Sequence, residues 1–376
     1  MNLIARLLST LFLYCVATMS GYAQYVNIPI HKIDIIFAGD IMQHQAQLDM
    51  AKGPDGKYSY SSYYRHISNE IKNNDISVAN LETPIGDRPF SGYPSFCAPD
   101  SFLYAARNAG FNVMLLANNH ILDRGNSGAI HTINLLDSLE TAYCGVYRNI
   151  EERDSLYPLI IEKKGIRVAF LNYTYGINGR IAKPPLIVNL IDKKQIAKDI
   201  SKAKSMKADA IIACMHWGDE YLSLPPQSIK ELSEWLLEQG VDHIIGHHPH
   251  VIQPIEIRKS TVSPDKHAVV YSLGNLVSNM SLRRTDGGII LRMQLMRIMN
   301  YTRLSSLKYV YTWIAPKKSN GRRDFTVLPA STTTITNDPN ATLKLNQFLE
   351  DSRRLFKKHN IGDIQEYFLD SVEVTR

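Results

Sequence analysis

Cysteine is nearly missing. Cys15, Cys97, Cys144 and Cys214 are the only four in 376 residues, and they lie far apart. That spacing excludes a disulfide framework and a zinc knuckle, and once an N-terminal leader carrying Cys15 is removed, the three that remain leave room for one disulfide at most. Buried single thiols are the simpler reading. A glycine-rich phosphate loop, a Gly-x-Ser-x-Gly turn and a Cys-x-x-Cys pair are also missing. No long basic run accompanies the net charge of +6, so nucleic acid is not an expected partner. Beyond the N-terminal segment, no apolar run is long enough to span a bilayer. Internal repeats and low-complexity tracts are absent.

What is present is a globular composition. Hydrophobic residues make up 44% and charged residues 21% of the chain, enough for a real core. The N-terminus reads as a secretory signal over residues 1–23. Arg6 precedes the apolar stretch Leu7 to Met19, and Gly21 and Ala23 are the small residues before a cut. The expected product starts at Gln24, in the periplasm or cell envelope. An uncleaved membrane-anchored form is the alternative. A linker follows over 24–32.

From Ile33 onward, strands alternate with helices, which implies an α/β domain with largely parallel pairing. Strands are expected at 33–38, 75–79, 112–116, 167–171, 210–215, 241–245 and 269–273. Helices are expected at 62–73, 100–108, 126–140, 192–205 and 227–239, the last opened by Pro225 and Pro226 and stopped by Gly240. Residues 86–99 form a long loop. The tyrosines at 58, 60, 63 and 64 read as half-buried with wet hydroxyls, or as cleft lining. After about 287 the pattern turns antiparallel, with strands at 289–293 and 307–311. A helix over 341–358 and a polar tail close the chain.

The polar residues cluster at strand ends. Asp40, Glu82, Asn119, His120, His216, His248 and His250 each stand just past the last apolar residue of an expected strand. In open α/β sheets, ligands bind beyond the carboxyl ends of the strands. Each residue alone has a plainer explanation: a cap, a turn or a packing histidine. Together they suit one or two divalent ions such as zinc, manganese or iron. In the stretch Gly246-His247-His248-Pro249-His250, the proline favours extended backbone at His248. Extended chain would aim His248 and His250 at one point. Asp123 either orients His120 or caps the next helix. His131 and His243 do not fit this rim. Arg88, Arg124 and Arg180 are loop candidates for holding an anionic substrate.

Six motifs occur in order: Gly39-Asp40-Ile41-Met42, Asn80-Leu81-Glu82, Asn118-Asn119-His120, His216-Trp217-Gly218, Gly246-His247-His248-Pro249-His250 and Ser272-Leu273-Gly274-Asn275. This set resembles the CapA family of capsule-synthesis proteins, within the calcineurin-like metallophosphoesterase superfamily, over residues 33 to 280. The resemblance implies a four-layer α/β/β/α sandwich over 33–295, with 296–376 completing or capping it. It implies that Asp40 and His250 bind a first metal and Asn119, His216 and His248 a second. Glu82 would bridge, and His120 would stabilise the transition state or protonate the leaving group. Met42 stands where the superfamily has a histidine ligand, so the first site is expected to be weak or differently built, unless His44 compensates. The implied function is metal-dependent hydrolysis in synthesis or export of an envelope polymer such as poly-γ-glutamate. Its partners would be an anionic polymer or phosphoester and a membrane-bound synthase. A non-catalytic accessory protein and an amide or ester hydrolase are the alternatives.

Overall fold

Two sheets face each other through the core. The computed structural model describes residues 29–259, 266–317 and 323–376; the expected signal segment and most of the linker lie outside them. Residues 31–376 form one unit.

The first sheet is nine-stranded and built around Ile30–Ile41. On one side Ile76–Leu81, Val113–Leu115 and Ala142–Cys144 follow in parallel order. On the other side lies an antiparallel set, Gly287–Ile298, Tyr301–Ile314 and Val327–Pro329. The short strand Asn275–Val277 pairs in parallel with the end of Ile30–Ile41. The second sheet is six-stranded. Ile166–Thr174, Ala210–His216, His243–His247 and Lys266–Val270 are parallel, and Leu159–Lys163 and Ile255–Lys259 form antiparallel edges. Every residue of Ile76–Leu81 and Ala210–His216 is buried, as expected for parallel strands covered on both faces.

Phe37 of the first sheet packs on Phe170 of the second, with ring centroids 6.3 Å apart. Asn172 crosses the same interface: its Oδ1 accepts from the backbone N–H groups of Leu116 at 3.1 Å and Ala117 at 2.8 Å. Helices cover the outer faces. Gly125–Ser138 buries Ile133 and Leu136, and Lys193–Ser205 buries Ile196 and Ile200. Gln227–Gln239 ends at Gly240 with φ +100°, the left-handed stop that glycine allows. The α/β/β/α layering expected from the sequence holds. In the C-terminal helix Pro339–His359, Phe348 and Phe356 pack on Tyr311.

Five local expectations change. The helix near 62–73 is confined to Ser68–Lys72. The residues before it form turns because Tyr60, Tyr63 and Tyr64 enter the core, each no more than 2% exposed. Only Tyr60 among these three hydroxyls finds a partner, donating to Gln43 Oε1 at 2.8 Å. They line no cleft. The strand expected at 269–273 ends at Val270, because Tyr271 turns to close over Gly246; a Cβ on Gly246 would meet the Tyr271 carbonyl at 1.9 Å. The polar tail includes the strand Val372–Thr375, paired with Thr333–Thr336. Finally, His248 is not extended: its φ is +97°.

Candidate metal centre

The carboxyl ends of the parallel strands bring their polar residues to one crevice. Asp40 ends the central strand of the first sheet, and Glu82 follows its neighbour. His216 ends a strand of the second sheet, and the histidine turn follows the next strand along. Asp40, Glu82, His216, His248 and His250 are all at least 97% buried.

Two of the three candidate ligand groups share Glu82. Donor atoms of Asp40, Glu82 and His250 lie within 4.8 Å of one another, as do those of Glu82, His216 and His248. Glu82 Oε1 is 3.4 Å from His216 Nε2 and 3.8 Å from His250 Nε2. The turn at His248 explains the division. Positive φ at both His248 and His250 folds the chain back, so the two rings face different neighbours, while a nitrogen of each also lies within 4.8 Å of a Glu220 oxygen. His248 lies beside His216, with ring centroids 4.8 Å apart, and beside Tyr175 at 4.6 Å. His250 meets Asp40 Oδ2 at 3.2 Å and Asn275 Oδ1 at 3.1 Å through Nδ1.

Supporting side chains surround these groups. Asn80 donates to Asp40 Oδ1 at 2.8 Å and sits 3.2 Å from His216 Nδ1. The other nitrogen of His216, Nε2, meets Asn119 Oδ1 at 2.8 Å. Asn118 donates to the Leu81 carbonyl at 2.9 Å, tying the strand ends together. His247 Nδ1 lies 3.3 Å from Asp40 Oδ1. Asn80, Asn275, His247 and Glu220, which joins His248 and His250 in a third group, were not among the expected site residues. Asn80 and Asn275 already sit inside the quoted motifs, but nothing in the sequence ties them to particular ligands.

His120 stands at the rim, with Nδ1 2.8 Å from Asp123 Oδ2. Asp123 also accepts from the Phe96 N–H at 2.8 Å. It does not cap the following helix, whose N-cap position is Arg124 without a side-chain cap. Asp123 therefore holds the His120 ring. Arg180 is exposed, with Nε 3.8 Å from Asp123 Oδ1. Arg124 donates to the Pro89 carbonyl, and Arg88 lies over the rings of Tyr58 and Phe90 at 5.6 and 5.2 Å. These two belong to the 86–99 loop surroundings. Met42 is buried, its carbonyl taken by Gln47 Nε2 at 3.1 Å. His44 does not compensate: its Nδ1 accepts from the Asn279 N–H at 3.2 Å, and it joins none of the ligand groups among the described residues. His131 pairs with Asp100 and His243 accepts from the Ala268 N–H, both away from the rim.

Burial and the close packing of charged groups shift the titration of the site. Burial, and then the charge of Asp40, push the Glu82 carboxyl up to about 8. Burial works against the Asp40 carboxylate, but the imidazoles of His247 and His250, 3.3 and 3.2 Å away, outweigh it and hold it well below the usual range. Burial also opposes charge on His250, yet Glu82 and Asp40 raise it to about 9. Burial drives His248 down to about 2 and His216 well below its ordinary value, so both present neutral imidazoles.

Neither oxygen of Glu82 has a hydrogen-bond partner, nor does Nδ1 of His248. A buried carboxylate without a donor is costly. Carboxylate and imidazole donors are the set that zinc, manganese and iron accept. The residues therefore fit a divalent metal centre.

Fold and site together define a two-sheet α/β protein with a buried crevice whose donor set fits divalent metal. The family described as bacterial capsule synthesis protein PGA_cap matches residues 34–280, and the chain belongs to that family. It is similar to the capsule biosynthesis protein CapA of Bacillus anthracis, 30% identical over 276 residues, 70% of this chain and 64% of that protein. It is also similar to the PGA biosynthesis protein CapA of Bacillus subtilis, 25% identical over 73% of this chain and 72% of that protein. A probable polyglutamine synthesis accessory protein of Mycobacterium tuberculosis is 26% identical over 54% of this chain and 56% of its own. Among solved structures, the NAD nucleotidase NadN of Haemophilus influenzae is similar, with 12% identity and a TM-score of 0.47 over 91% of this chain and 58% of that one. The calcineurin-like phosphoesterase YfkN of B. subtilis is 13% identical, with a TM-score of 0.44 over 88% of this chain and 99% of that one.

Proposed function

We propose that this chain is an exported, metal-dependent hydrolase-like protein acting in the synthesis or export of a capsular or envelope polymer, such as poly-γ-glutamate. The observation that carries the chemistry is the shared Glu82, which joins Asp40 and His250 to His216 and His248. The polymer comes from the relatives, whose names speak of capsule, PGA and polyglutamine synthesis.

Asp40, Glu82 and His250 would hold one metal, and Glu82, Asn119, His216 and His248 a second. Bound there, divalent ions polarise a phosphoryl or carbonyl oxygen and lower the pKa of water. The chain's own residues supply the rest. Asp123 fixes the His120 ring through Nδ1, leaving Nε2 as the nitrogen that meets the leaving group. Asn80 and Asn275 orient Asp40 and His250. Arg180, exposed beside Asp123, draws an anionic chain towards the rim.

Met42 favours a second reading, a non-catalytic accessory protein that grips an anionic polymer or a membrane synthase. It is a buried thioether, a poor ligand for a hard cation. His120→Ala separates the two readings in a strain that makes the polymer. Lost polymer with metal and fold intact supports chemistry. Unchanged polymer supports scaffolding.

A further inference from the structure

We propose that Glu220 is a metal ligand on the solvent side of the centre, shared with His248 and His250. This rests on the reading that the crevice holds divalent metal. A carboxylate oxygen of Glu220 and one ring nitrogen each of His248 and His250 lie within 4.8 Å of one another. Small side-chain adjustments would bring a Glu220 oxygen to the ~2.0–2.2 Å of a bond to a metal held by either histidine. His248 and His250 otherwise belong to separate groups, so Glu220 is the residue that spans both.

The backbone carrying Glu220 is fixed to the histidine turn. The chain leaves His216 through Gly218, at φ +87°. Tyr221 then sits at φ +67°, a left-handed conformation that a bulky residue holds only under outside constraint. The constraint is visible: the Tyr221 N–H donates to the Pro249 carbonyl at 2.9 Å, between the two histidines. One residue further on, the Leu222 carbonyl accepts from Gln253 Nε2 at 2.7 Å. A second observation is independent of the loop. His248 is only 3% exposed, and its Nδ1 has no hydrogen-bond partner. A buried, unpaired imidazole nitrogen needs a cation or a donor. Asp40 and Glu82 are fully buried, whereas Glu220 is exposed. It is the carboxylate that can close the open face of the site.

The test is calorimetric titration of Mn²⁺ into the full chain stripped with chelator, with electron paramagnetic resonance reporting coordination. Glu220→Gln and Glu220→Ala should each weaken at least one Mn²⁺ site about tenfold or more and change its spectrum. Asp219→Asn removes the neighbouring exposed carboxylate and should leave Mn²⁺ binding as in the native chain. Metal-free melting temperatures should be alike in all four proteins. Native affinity and spectrum in both Glu220 variants would overturn the inference. An equal loss in Asp219→Asn would overturn it too, because that loss would be a field effect rather than coordination. Absence of Mn²⁺ binding in the native chain would instead remove the metal reading of the whole crevice.

Discussion

Glu82 Oε1 lies 3.4 Å from His216 Nε2 across the boundary between the two sheets, and neither oxygen of this buried carboxylate accepts a hydrogen bond. The first sheet supplies the anion and the second supplies the imidazole. The crevice is thus made by the packing of the sheets.

One consequence is a pH-dependent stability in the absence of metal. Glu82 is raised to about 8 and His250 to about 9. Both groups therefore bind more protons in the folded chain than in the unfolded one near neutral pH, and stability falls as pH rises through that range. His216 and His248 are neutral there in both states. The melting temperature of chelated protein should fall from pH 7 to 9, with a shallower slope in Glu82→Gln. Divalent metal should reverse the trend, since its binding displaces those protons. Circular dichroism melts with and without chelator check this.

The His120–Asp123 pair should matter for turnover and not for metal. His120→Ala should lower phosphodiester turnover by about 10²–10⁴-fold while metal content stays the same. Asp123→Asn should give a smaller loss, since the ring remains but loses its charged partner. Steady-state rates alongside metal analysis separate the two effects.

Asn80 offers a test of the supporting residues. Its amide donates to Asp40 and reaches His216. Asn80→Ala should weaken metal binding about 10–100-fold. It should also cost roughly 1–3 kcal/mol of stability, because a buried acceptor loses its donor. Titration calorimetry and chemical denaturation measure the two quantities.

Arg180 should act on binding alone. It is exposed and 3.8 Å from Asp123, so Arg180→Ala should raise KM for an anionic substrate about fivefold, matching the ~1 kcal/mol of an exposed charge, with kcat nearly unchanged. Arg88→Ala should alter neither, because Arg88 rests on Tyr58 and Phe90.

Much of this arrangement was legible in the sequence because parallel strands buried on both faces read as unbroken apolar runs. The polar residue that ends each run then marks the rim. Asp40, Glu82 and His216 were found that way. The backbone at His248 was not, because the preference of a residue before proline for extended backbone lost to the tertiary contacts of the turn. Tyr221, tied to Pro249, is one of them. The buried tyrosines were misjudged for a related reason: local sequence does not reveal that the segment leading into Val327–Pro329 returns to cover Tyr63, which packs on Phe325. Glu220 carried no signal at all, lying in a loop whose position over the site is set by the distant histidine turn.

The most direct measurement is metal content by mass spectrometry on the native chain and Glu82→Gln, with a generic phosphodiester assay on both. Two divalent ions per native chain with turnover, and loss of both ions in Glu82→Gln, are the expected result. No bound metal in the native chain, or full metal occupancy without Glu82, would contradict a centre built around that shared carboxylate.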